Sequence, residues 1–176
     1  SHAKGVAIWN KKSAIWLIHS VPGFPPKPED GYSYPKSGRV YGQSFLCVGM
    51  DMANLEPLYL IATQLYYIWP KIYSFTVHPK YHVVRHLKHV IHGQHTNSSH
   101  AKIQQFQTSE PSTPFKFTAF AKTKDFGNRD LYKEILVPYI KCQYMWVETW
   151  RNGNGTPLPS NCTGGTNVEN LTKMTL

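Results

Sequence analysis

The first twenty residues, SHAKGVAIWNKKSAIWLIHS (residues 1–20), decide how the rest of the chain is read. Two apolar segments, residues 5–9 and 14–19, flank the short polar stretch 10–13, which is the pattern of a β-hairpin. Directly ahead of the first strand stands His2-Ala3-Lys4. Residues two apart on an extended chain share a face, so His2 and Lys4 project together. That pairing suits phosphodiester chemistry. An imidazole can attack phosphorus or protonate a leaving oxygen, while a neighbouring ammonium holds a phosphate oxygen. The pattern is short and recurs as His100-Ala101-Lys102, and by itself it equally describes an exposed basic pair.

Working outward, the five prolines of residues 22–35 exclude regular structure and predict a surface loop carrying Phe24, Tyr32 and Tyr34. Residues 44–48 read as a strand buried on both faces. Helical spacing over 52–65 predicts a helix with Pro57 in its first turn, where proline is tolerated. Residues 71–77 alternate like a strand. Residues 79–92 read as a helix with Val83, Leu87 and Val90 on one stripe and Gly93 just past its end. A polar loop with one strand is expected over 94–114, a half-exposed strand over 115–121, and a helix over 130–137 ended by Pro138. A last strand over 143–150 precedes an irregular tail. Mixed strands and helices without a repeat predict an α/β or α+β sandwich.

The chain carries a formal charge of +9, and protonating its nine histidines would double it. Imidazoles titrate near ~6.5, so a polyanion is attracted more strongly in acid. A basic solvated face with no dedicated partner is the plain alternative. Seven histidines lie between His78 and His100, and His82, His86 and His89 share one helical face at a spacing that can hold zinc. No carboxylate or cysteine completes such a site, and Arg85 and Lys88 crowd it with charge. A face that charges in acid and binds DNA phosphates through His82, Arg85, His86, Lys88 and His89 is the better account, and no metal or other cofactor is expected. Arg39, with Tyr32, Tyr34 and Tyr41, can line a DNA groove, or these side chains simply pack their loop. Four glycosylation sequons, at Asn97, Asn154, Asn161 and Asn170, favour the secretory pathway. Three cysteines, Cys47, Cys142 and Cys162, leave at least one without a partner in this sequence. No stretch is apolar over the roughly 18 residues of a membrane span, so no membrane partner is expected.

The chain resembles the central region of animal deoxyribonuclease II in family order from first residue to last. The residues that carry the likeness are SHAKGVAIW, Ile15 to Pro22, Gly23-Phe24-Pro25-Pro26, Tyr32 to Gly38, Tyr41 to Val48 and Gln64-Leu65-Tyr66-Tyr67. Later matches are Asn97-Ser98-Ser99, Phe120-Ala121-Lys122, Asp130-Leu131-Tyr132 and Leu158 to Cys162. The resemblance implies a phospholipase D-like mixed β-sheet flanked by helices, forming part of a pseudo-dimer. It implies an acid, metal-independent endonuclease that cleaves DNA to 3′-phosphate products. Two His-x-Lys motifs meet in that family: one histidine attacks phosphorus to form a phosphohistidine, and the other protonates the departing oxygen and then activates water. His2 and Lys4 match the first motif, and His19, Gln43 and Ser44 fall where supporting residues are expected.

The chain also departs from the family. Its second motif, His-Ser-Lys-Trp, is absent, and Trp9 and Asn10 occupy the stretch where the superfamily has an aspartate. Residues 1–176 are therefore expected to be one deoxyribonuclease II-like region truncated at both ends, its second His-x-Lys coming from the missing C-terminal part or from another subunit. By the resemblance, Cys47 and Cys162 pair with cysteines outside this segment. Cys142 has no family counterpart and is expected to be a packed free thiol. A lysosomal or secreted location is implied. The rival reading is a catalytically inactive secreted homologue that binds DNA or another polyanion.

Overall fold

The computed structural model describes residues 4–80, 83–110, 112–127, 129–149 and 158–172. They divide into two compact units, Ser1–Asp125 and Phe126–Leu176.

The first unit starts with the hairpin. β1 (Lys4–Trp9) pairs antiparallel with β2 (Ser13–His19). Asn10 holds the turn: its side-chain oxygen accepts the backbone N–H groups of Lys12 at 2.7 Å and Ser13 at 3.0 Å. β3 (Phe45–Asp51) adds antiparallel to the other edge of β2, giving the order β1-β2-β3. Strand alternation sends Ala14, Trp16, Val48 and Met50 to one face, where they pack with Leu58 and Ile61 of α1 (Glu56–Ile68). Each such apolar side chain contributes about 1.5–3 kcal/mol on burial, so this one face holds the sheet together. The opposite face is open around Ile8 and Ile15, which are 62% and 44% exposed. The expectation that residues 44–48 are buried on both faces is therefore wrong. Phe45, Leu46 and Cys47 are exposed, and only Val48 is enclosed.

α1 begins four residues later than its pattern suggests, after Asn54 accepts the N–H of Glu56 at 2.8 Å, with Pro57 in the first turn as expected. The predicted strand at 71–77 does not form. Among the described residues no strand pairs with it, and Tyr73 instead donates its hydroxyl to the Pro25 carbonyl at 2.8 Å. The long helix predicted over 79–92 shrinks to α2 (Arg85–Ile91), because Val83 and Val84 are β-branched and Val84 is extended at φ −66°, ψ 154°. Gly93, at φ 72°, follows its end. β4 (Lys102–Gln107) and β5 (Lys116–Ala121) pair antiparallel, with Phe106 stacked on Phe117 at 5.3 Å.

In the second unit, a π-helical turn at Tyr132–Leu136 runs into α3 (Val137–Ile140). Pro138 does not end this helix, contrary to expectation. It sits in the first turn of α3, and the widened π turn before it relieves the demand for the N–H that proline lacks. β6 (Tyr144–Val147) pairs in parallel with β7 (Asn167–Asn170), a strand the composition of the tail concealed. Val137, Val147 and Val168 form the small core, with Cys142 half-buried against it. Lys133 anchors the turn before β7, donating to the Thr166 hydroxyl at 2.7 Å and to the carbonyls of Thr163 and Thr166.

The α+β class holds. The strands of the described residues form three small sheets rather than one mixed sheet. No helix among them is long and apolar enough to cross a membrane.

Candidate active site

One end of the three-stranded sheet gathers the chemistry. In register, Lys4 lies opposite His19, and His19 opposite Phe45. Cross-strand partners share a face, so all three project from the side away from the hydrophobic core. His19 is nevertheless only 4% exposed. The proline-rich loop covers it: Phe24 meets its ring edge-on at 5.6 Å, and Phe45 stacks on it at 5.9 Å. Burial pushes the His19 pKa below its ordinary value, and the Lys4 ammonium pushes the same way, against a weaker opposing backbone interaction with Val21. The ring's polar interaction is with the Val21 backbone, and neither nitrogen meets a side-chain hydrogen-bond partner.

A polar clasp fixes the backbone beside it. The Ser20 hydroxyl donates to Gln43 Oε1 at 2.7 Å and accepts the N–H of Ser44 at 2.9 Å, while Gln43 Nε2 donates to the Tyr41 carbonyl at 3.1 Å. Gln43 and Ser44 thus lie next to His19 in space, through Ser20. The sequence reading missed Ser20, Phe24 and Phe45 as parts of this site. Their signal was present in the alternation that puts residue 45 opposite residue 19, but the pairing of β2 with β3 across a long loop is not readable locally. Gly5 completes the arrangement. A Cβ there would lie 2.3 Å from the Leu17 carbonyl oxygen, so only glycine lets β1 approach β2 this closely. His2 lies outside the described residues.

The deoxyribonuclease II family model matches residues 1–176. The chain belongs to the deoxyribonuclease II family. It is 35% identical over 173 residues to deoxyribonuclease-2-beta of Rattus norvegicus, covering 97% of this chain and 46% of the relative. It is 38% identical over 161 residues to deoxyribonuclease-2 of Caenorhabditis elegans, covering 89% of this chain and 40% of the relative. Against deoxyribonuclease-2-alpha of Sus scrofa the identity is 33% over 175 residues, with 98% and 46% covered. The chain thus spans less than half the length of these curated relatives. No solved structure gives a significant match.

The other residues singled out in this chain are scattered. Arg39 is exposed at the end of a 3-10 turn, Lys36–Arg39, with Tyr32 and Tyr41 also exposed on the surrounding loop. Arg85 and Lys88 are exposed on α2, and His86 and His89 are half-buried against Tyr66. His82 lies outside the described residues. Both remaining members of the zinc-spaced trio are engaged elsewhere, His86 Nδ1 with the Thr63 hydroxyl at 2.9 Å and His89 Nδ1 with Gln94. Among the described residues no three metal-ligating side chains converge. His100 is exposed and bonded to its own serine turn, at the start of β4.

The sequons differ sharply. Asn97 is exposed, Asn154 lies outside the described residues, and Asn161 is half-buried with its side-chain oxygen accepting the Thr163 hydroxyl at 2.9 Å. Asn170 is a correction. It is 6% exposed, and its amide nitrogen donates to the Thr149 hydroxyl at 2.7 Å and to the Leu158 carbonyl. A glycan on that nitrogen is incompatible with this packing.

Proposed function

We propose that this chain carries one half of the active site of an acid, metal-independent endodeoxyribonuclease, built on a phospholipase D-like architecture. The observation that carries the reading is the end of the three-stranded sheet, where Lys4 lies opposite His19, a buried histidine whose pKa is lowered by burial and by the Lys4 ammonium. In this reading Lys4 binds a non-bridging oxygen of the scissile phosphate and offsets the charge that builds there. The His2 imidazole and a second histidine divide the chemistry. One attacks phosphorus, forming an N–P bond as the P–O5′ bond breaks, and the other donates its proton to the departing O5′. The second then takes a proton from water as that water cleaves the N–P bond, leaving a 3′-phosphate. His19 sits behind Lys4 as a positioning group for the bound phosphate, with Gln43 and Ser44 fixing its strand end through Ser20. The second His-x-Lys pair is supplied elsewhere in the full protein or by another subunit. Its sequons suit a lysosomal or secreted location.

Plasmid nicking by the full protein at about pH 5 in chelator tests this, because both carboxylate-free acid–base groups and Lys4 act without metal. His2→Ala and Lys4→Ala each lower nicking by about 100-fold or more, with duplex binding retained. Nicking at a tenth of the parent rate in His2→Ala would remove that residue from the chemistry. A parent that binds DNA and never nicks it would establish the inactive polyanion binder instead.

A further inference from the structure

The proline-rich loop does more than cover His19. Phe45 rests its ring on that histidine at 5.9 Å, the planes 25° apart, and Phe24 meets Phe45 edge to face at 6.0 Å. Tyr32 also stands edge to face with Phe24, at 6.2 Å. His19 is buried beneath these rings, yet Phe45 remains 50% and Tyr32 84% exposed. An exposed ring is ordinary in itself. What sets this pair apart is that its surroundings hold it still and that it stands beside a cation.

The loop is tied down at three points. Pro25, next to Phe24, accepts the Tyr73 hydroxyl at 2.8 Å. Tyr34 donates to the Gly38 carbonyl at 3.3 Å, and Gly38 fits so closely that a Cβ there would lie 3.1 Å from the Tyr34 ring and 3.2 Å from Val21. The clasp of Ser20, Gln43 and Ser44 shuts the base of the loop, where the Ser20 N–H also donates to the Ser44 carbonyl at 3.1 Å. Tyr34 therefore packs its loop, and the rings left to meet a ligand are Phe45 and Tyr32. Rings fixed before binding lose little freedom on taking a flat partner.

Lys4 and Phe45 stand one strand to either side of His19 on the same face of the sheet. Adjacent strands lie roughly 4.8 Å apart, which puts the two backbones about 10 Å from each other. That is the scale of one nucleotide from phosphate to base. A base inside a duplex is covered above and below by its neighbours and shows only its edges in the grooves. A ring fixed to a sheet can stack on a base only where that base has left the helix: in a single strand, at a frayed end or at a mismatch.

We propose that Phe45 is a stacking platform for the base next to the phosphate held by Lys4, with Tyr32 as a second ring for a neighbouring base. The site then takes DNA whose bases are out of the stack ahead of fully paired DNA. The inference rests on Lys4 holding a DNA phosphate.

Two duplexes, identical except for one central mismatch, test it with the full protein in acid and chelator. The quantity read is the ratio of kcat/KM at the mismatch to kcat/KM at the same step when paired. The parent ratio is about tenfold, the equivalent of one base stacked on one ring. In Phe45→Leu it falls to about twofold or less, and Phe45→Trp restores it. A folding defect lowers cleavage of both duplexes together and leaves the ratio where it was. Tyr32→Leu, at a position almost wholly in solvent, lowers the ratio about threefold without touching the core. Quenching of 2-aminopurine in a bound single strand reads the same contact without cleavage: strong with the parent, lost with Phe45→Leu. Equal cleavage of the two duplexes by the parent, or the parental ratio surviving in Phe45→Leu, would overturn the proposal. Quenching that Phe45→Leu abolishes in a protein that never nicks supports the platform and sinks the nuclease reading alone. Nicking intact, with ratio and quenching unmoved by the variant, sinks the platform alone.

Discussion

His19 and His86 are both aromatic-backed histidines whose pKa is lowered first by burial, yet their surroundings set them different tasks. His19 faces one ammonium, Lys4, and has only a backbone interaction at Val21 to set against its burial. His86 faces His89, Arg85 and Lys102 and has one nitrogen bound to Thr63. A buried ring with so little polar contact carries a desolvation cost in the fold. A ring with one nitrogen satisfied and the other surrounded by charge is already part of the structure, and what it responds to is proton concentration. The direction of a pKa shift therefore does not identify a histidine's role; the state of its nitrogens does.

The comparison breaks most readily at His19. Replacing it by leucine removes a buried imidazole with little polar compensation, so His19→Leu is expected to raise stability by about 1 kcal/mol while nicking falls by about 100-fold. Thermal melts and nicking rates on one preparation decide this; a less stable variant with intact nicking would make His19 an ordinary core residue. Gly5→Ala comes next. Its Cβ drives against the Leu17 carbonyl, parting β1 from β2 at the Lys4 end, at a cost of about 2 kcal/mol, seen as a melting temperature lower by roughly 4–8 °C. The smallest effect sharpens the contrast at His86. Its folded pKa is lowered below the unfolded value near ~6.5, so the folded chain takes up fewer protons than the unfolded one. Its contribution is complete above that value and is lost as pH falls through it. His86→Gln should shrink the drop in melting temperature between neutral and about pH 5 by on the order of 2 °C, a change His19→Leu would share in direction.

Much of this was legible in the sequence. The hairpin at the start was plain, because short polar turns between apolar runs are local signals and Asn10 supplies the turn chemistry. The pairing that matters most for the site, β2 with β3 across the loop of residues 20–44, was not, since register between distant strands depends on contacts no window contains. The length of α2 was overestimated because Val83 continues the apolar stripe while Val84, extended, stands outside the helix. Pro138 misled in the opposite sense: a breaker by rule, it is accommodated by a π turn that no periodicity announces. Lys4 was identifiable from its motif and its family likeness, and His19 from its place near it. That His19 is enclosed by Phe24 and Phe45 could only come from the fold.

The closure of β7 on Asn170 has a kinetic consequence. The nitrogen that a glycosylating enzyme would use is the one that ties Thr149 and Leu158 together. Folding and modification thus race for a single atom: molecules that close promptly keep it bare, and any that carry sugar there were caught while this segment was still open.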